Sequence, residues 1–287
     1  MAADVVSVVV RALSFIALFQ AAGIALFLAI VAPASPLASG HRLRSVGTWS
    51  AGVAIAPVVA HYLLESARMA GELAGVLDPS LQSLVFDSPT STALGFRLAG
   101  LALLVVGFRI EGKAAIRVCM AGAGLALASF LTVGHTTTHS PRSLLALLLF
   151  FHLAVVAFWF GALAPLHIIV SREIPDAAAR IVERFSSLAV WLVPGLFVAG
   201  LVLAVLLLPD LAALGTAYGR LLILKVFGFS LLLGLASLNK WRLGPAIARG
   251  DHAARRAFRG SLVTEAVLIA AVLSITAVMT ALYSPEG

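Results

Sequence analysis

An all-α, polytopic membrane helix bundle of about eight transmembrane helices is the fold class this chain predicts, and three observations carry it. The 287 residues are 61% hydrophobic and only 11% charged, too apolar for a water-soluble domain of this length. Eight apolar runs are each long enough to cross roughly 30 Å of hydrocarbon at about 1.5 Å per residue. Basic residues gather in alternate loops. None of the runs alternates as a porin strand does, so each is expected to satisfy its backbone internally as a helix.

In order, the spans are placed at 5–31, 46–64, 92–110, 116–133, 144–170, 185–208, 217–238 and 261–282. Residues 5–34 also have the outline of a cleaved leader, with VAPAS as the small-residue stretch. The run is longer than a usual leader core, Arg11 lies inside it and Arg42 and Arg44 follow it, so retention as a first span is expected. The connection from Glu65 to Ser91, rich in Pro, Ser and Asp, reads as an irregular cap with a short helix. A single cysteine, Cys119, near the inner end of the fourth span, excludes an internal disulfide and a paired-thiolate site.

Charge orients the bundle. Arg42 and Arg44, then Arg109, Lys113 and Arg117, then Arg172, Arg180 and Arg184, then the run from Lys240 to Arg259 follow the odd-numbered spans. The other loops carry Arg68 and Arg142 beside Glu65, Glu72, Asp78, Asp87 and Asp210. Both termini are therefore expected to face outward, away from the cytoplasm. This segregation accounts for the net charge of +7 without a nucleic-acid partner, and the basic loops are expected to meet anionic lipid headgroups. No fixed-period repeat, phosphate loop or nucleophile elbow stands out, and four Met residues are too few for a Met-rich copper relay.

Histidines carry the chemistry. His135, His139 and His152 stand at the mouth of the fifth span, and an imidazole beside hydrocarbon needs a metal, a haem iron or another side chain as partner. His61 and Glu65, four apart at the outer end of the second span, project from one helical face. Together these residues outline an outward-facing funnel suited to zinc, copper, nickel or iron, with Glu65 as ligand or guide. Plainer roles stand beside these: a solvated pair for His135 and His139, a bond to a neighbouring helix carbonyl for His152, and pairing with Arg68 for Glu65. Lys225, about 12 Å into the seventh span, invites a counter-ion, a charge-transfer role or a bound anionic group such as a haem propionate or quinone oxygen. Arg220 is expected to snorkel, Gln20 to bond between helices, and Glu265 to lie near the inner end of the last span and pair with a cytoplasmic Arg.

Several motifs together resemble one family. They are Gly134-His135, then His152, Trp159, Gly161 and Leu163 in HLAVVAFWFGAL, Arg184-Phe185-Ser186, YGRLLILK from Tyr218 to Lys225, and Leu238-Asn239. The chain resembles the copper resistance protein D (CopD) family over roughly its last 150 residues, within a single integral membrane domain spanning 1–287. The resemblance implies a protein of the bacterial inner membrane concerned with copper uptake, often beside a periplasmic CopC-like copper carrier, which makes the outward termini periplasmic. His135 and His152 match the family's GH and HLxxxxxW positions. His61 and His139 are added from depth and spacing. Where the family often has paired Gly after the Trp, Ala162 here follows Gly161.

Two functions follow. In one, the outward imidazoles capture copper and a chain of polar groups passes it inward, although below His152 the path lacks Met and Cys donors and offers only His167. In the other, His152 with His61 or His135 holds haem b, and the protein moves electrons between quinone and a periplasmic acceptor.

Overall fold

A computed structural model describes residues 2–32, 37–134, 140–208 and 210–283. The helices are α1 (Ala2–Ile30), α2 (Gly40–Ala70), α3 (Pro79–Phe86), α4 (Pro89–Arg109), α5 (Gly112–Ala128), α6 (Arg142–Arg172), α7 (Pro175–Leu207), α8 (Ala217–Leu238), α9 (Gly244–Ala248) and α10 (His252–Leu282). A 3-10 turn continues α5, and a π-helical turn, Asn239–Leu243, joins α8 to α9. Among the described residues, eight helical stretches are long and apolar enough to cross a membrane, so the expected all-α polytopic bundle is observed.

The helices overrun the spans expected from apolarity. α2 continues to Ala70 and α10 begins at His252, nine residues before the apolar run at Ser261. Hydropathy marks hydrocarbon, whereas a helix continues through basic and small residues until something stops it. Asp251 starts α10 by accepting the backbone N–H groups of Ala253 and Ala254, and Gly71 ends α2 in the left-handed conformation at φ 76°. The connection beyond α2 is more regular than expected. It holds a 3-10 turn (Leu73–Leu77) and α3, whose Asp78 caps Ser80 and Leu81.

α1 is the hub, packed against α2, α4, α5, α6 and α10. Its Leu18, Ala21, Ala22, Ile24, Ala25 and Phe27 are fully enclosed. Small residues set these contacts, because in a bilayer helices gain most by bringing backbones close. α7 packs on α6, and α8 packs on α10 at the edge of the bundle.

Arg11 near the start of α1 bonds the carbonyl of Thr280 near the end of α10, so the first part of α1 and the last turn of α10 share one face, called here the terminal face. On the opposite rim, Glu173 follows α6 and accepts both the N–H (2.8 Å) and the hydroxyl (2.6 Å) of Ser39 at the start of α2. Burial pushes the Glu173 carboxyl up, but the bonds from Ser39 and the backbone N–H of Ala38 outweigh it and hold it below the usual carboxylate range. The positive end of the α2 dipole adds to that preference.

Candidate functional site

Among the described residues, two polar sites lie inside the bundle, and of the histidines expected to converge, His61 belongs to one and His152 to the other. The first is at the terminal face. His61 and Glu65 do share a face of α2, with His61 Nε2 3.4 Å from Glu65 Oε1. Arg11, reaching from α1, organises them. Its Nε donates to His61 Nε2 at 2.9 Å, its Nη2 to Glu65 Oε1 at 3.1 Å and its Nη1 to the Thr280 carbonyl at 2.9 Å. Arg68 repeats the motif one turn along, giving Nη1 to Glu65 Oε2 (3.0 Å) and Nη2 to the Ala281 carbonyl (2.9 Å). The expected Glu65–Arg68 pair is present, and Arg11 completes a clamp that ties α1 and α2 to the last turn of α10. The carbonyls there carry the negative end of the helix dipole, which suits guanidinium groups.

This clamp leaves His61 with little freedom as a ligand. Its Nε2 lone pair already accepts from Arg11, and its Nδ1 is buried without a partner among the described residues. Arg97, 5% exposed, stands close by on α4, donating to the Ser129 hydroxyl at 3.1 Å with its guanidinium 4.8 Å from the Phe130 ring. Three guanidinium groups thus accompany one carboxylate, an environment that disfavours an added cation.

The second site descends between α6, α7, α8 and α10. His152, about 15 Å along α6 by helix rise, lies against Gly200 of α7. A Cβ at Gly200 would stand 3.2 Å from its Cε1 and 3.4 Å from its Nδ1. That Nδ1 is buried and has no hydrogen-bond partner among the described residues. Lys225 of α8 is within electrostatic reach of the ring. The ring also interacts with the Leu196 backbone of α7, the helix-carbonyl partner expected for it, and its Nδ1 is the nitrogen left open to a further ligand among the described residues.

Two turns farther along α6, Trp159 Nε1 donates to Glu265 Oε2 at 2.9 Å, and Asn239 Nδ2 donates to Oε1 at 2.5 Å. Phe229 of α8 packs edge-on against Trp159 and stacks with Phe197 of α7. Glu265 is 2% exposed. Its partners are an indole and an amide, the latter from Asn239 in the turn that closes α8 just before Lys240. The expected pairing with a cytoplasmic Arg is therefore corrected. Gln20 Nε2 is buried with no hydrogen-bond partner among the described residues. His167 accepts from Arg259 at 3.0 Å near the opposite rim.

His135 and His139 lie outside the described residues. Among the described residues, no three His, Cys, Asp or Glu side chains form a group that could hold a metal ion. The polar neighbours of His61 and those of His152 have no member in common. Sequence reasoning missed Arg11 as the organiser of the terminal face and Glu265 as the centre of a buried network. The signals were present, since each is a lone charge in an apolar run.

The copper resistance protein D family model matches residues 179–279. The model described as copper resistance protein D-like, N-terminal domain, matches residues 1–141. No curated protein and no solved structure matches the chain.

Proposed function

Since the chain belongs to the copper resistance protein D family, and is a multi-pass protein of the inner membrane, we propose that it binds copper at its periplasmic edge and carries it inward, with His152 as the deepest ligand of the entry site. The observation that carries the reading is the unshared Nδ1 of His152, buried in an apolar bundle and approached closely at Gly200. An unsatisfied polar atom there costs about 1–3 kcal/mol, a cost that ligation removes. His135 and His139, just before α6 in the chain, are the natural companions, and imidazole donors suit copper. His61 and Glu65 join only if Arg11 releases them, so they serve first as the wall of the entrance. A CopC-like periplasmic carrier is the proposed donor of the metal.

The haem reading needs two imidazoles on one iron. His61 gives its Nε2 to Arg11, so the described residues supply His152 alone, and no step is derived through a porphyrin.

Copper binding to the purified full-length protein, with its absorption spectrum, tests the proposal. Stoichiometric copper, lost in His152→Ala and weakened in Gly200→Ala, is expected. A strong haem band that disappears in His152→Ala, or undiminished copper binding by that variant, would overturn it.

A further inference from the structure

Glu265 stands about 20 Å along α10, fully buried, with no cation against it among the described residues. Its two partners are neutral donors, Trp159 of α6 and Asn239 of the π-helical turn after α8. The charged groups on the elements around it are engaged elsewhere or lie toward the rims. On α1, Arg11 serves the terminal-face clamp. On α6, His167 takes the Arg259 side chain of α10, and Arg255 of α10 bonds the Val170 and Glu173 carbonyls. In the π turn, Lys240 bonds the Ser186 hydroxyl. His152 and Lys225 sit above the network, on the terminal side of the Trp159–Phe229 contact. A buried carboxylate held only by neutral donors in hydrocarbon is costly as an anion, and a proton is the smallest cation that can neutralise it.

The amide of Asn239 suits both charge states. Its Nδ2 donates to the carboxylate, while its Oδ1 is buried with no hydrogen bond of its own among the described residues. Rotated by half a turn, the same amide accepts from a protonated Oε1. A carboxyl group can then gain or lose a proton without leaving a donor or acceptor stranded at that oxygen. The π turn that presents Asn239 is a backbone irregularity of the kind that gathers at functional positions. Two more unshared polar atoms extend the line in both directions. Ser261 Oγ lies one turn from Glu265 toward the opposite rim, and His152 Nδ1 lies two turns from Trp159 toward the terminal face.

We infer that Glu265, cradled by Trp159 and Asn239, is an intramembrane proton-binding site that loads a proton from one side of the bundle and releases it to the other. In the step, one O–H bond forms at a Glu265 oxygen as the donor group gives up its own, and no electrons change hands. The coupling of this step to copper movement rests on the transport reading above, while the proton site itself does not.

Infrared difference spectra of the full-length protein between acid and alkaline pH, in H2O and D2O, read the site directly. A protonated-carboxyl band that titrates, shifts in D2O, is absent in Glu265→Gln and is displaced in Asn239→Leu is expected. A spectrum of Glu265→Gln identical to that of the unaltered protein overturns the inference. Should Glu265→Gln fail to fold, Trp159→Phe replaces it: a displaced band supports the site and an unmoved band overturns it. In proteoliposomes, an imposed pH gradient should change the copper uptake rate of the unaltered protein, and Glu265→Gln should lose that response. A response retained in Glu265→Gln overturns the inference. Vesicles of the unaltered protein that take up no copper overturn the transport reading alone, and the infrared result then decides the proton site.

Discussion

Gly23 of α1 and Gly161 of α6 meet backbone to backbone. A Cβ on Gly23 would fall 1.8 Å from the carbonyl oxygen of Ala157, and one on Gly161 would fall 2.2 to 2.4 Å from the backbone of Gly23 and Ile24. This contact sets the seat of α6 on the hub helix, and hence the position of His152 and Trp159 on the far face of α6.

Gly161→Ala should therefore be severely destabilising, because the atoms in the way are backbone and cannot rotate aside. Overpacking of this kind costs about 1–3 kcal/mol and occasionally more, and the upper end is expected here. Thermal unfolding in detergent measures it. Gly124→Ala, where nothing stands within 4 Å, should melt close to the unaltered protein. Equal melting of the two variants would refute the packing argument.

Glu65 is the one carboxylate between Arg11 and Arg68, and removing it leaves two guanidinium groups facing each other. The side chains are 13%, 17% and 26% exposed for Arg11, Glu65 and Arg68, between the surface and buried limits. A loss of about 1–3 kcal/mol is expected for Glu65→Ala. Arg68→Ala should cost less, since Arg11 still joins α1, α2 and α10. Melting temperatures in the order unaltered, Arg68→Ala, Glu65→Ala check this, and the reverse order contradicts it.

Glu173 gives the opposite rim a pH dependence. Its carboxyl is held below the ordinary value of 4.5, so its stabilising contribution is present above that value and is lost as pH falls through the lower value in the folded protein. Ser39→Ala removes the hydroxyl bond and should melt lower than the unaltered protein at neutral pH. The gap between the two should close in acid. A gap that is constant with pH would show that the Ser39 hydroxyl does not act through the charge on Glu173.

Much of the architecture was legible in the residues themselves. Apolar run length and the clustering of Arg and Lys placed eight spans, because membrane residence depends on each segment's own transfer energy. The pairing of His61 with Glu65 on one face was legible for the same reason, since helical periodicity alone decides it. The partner of Glu265 was misjudged because an indole and an amide from other helices reach it in place of an Arg, and periodicity along one segment does not reveal which neighbour arrives.

What only the tertiary structure decided is which polar groups meet. Arg11 finds partners 50, 54 and 269 residues away, and Trp159 finds Glu265 across 106. Those meetings follow from which helices are neighbours, and neighbours are chosen by close backbone contacts such as Gly23 with Gly161. Apolarity and charge belong to a segment and can be summed along the chain, whereas a hydrogen bond between helices exists only once both have been packed in place.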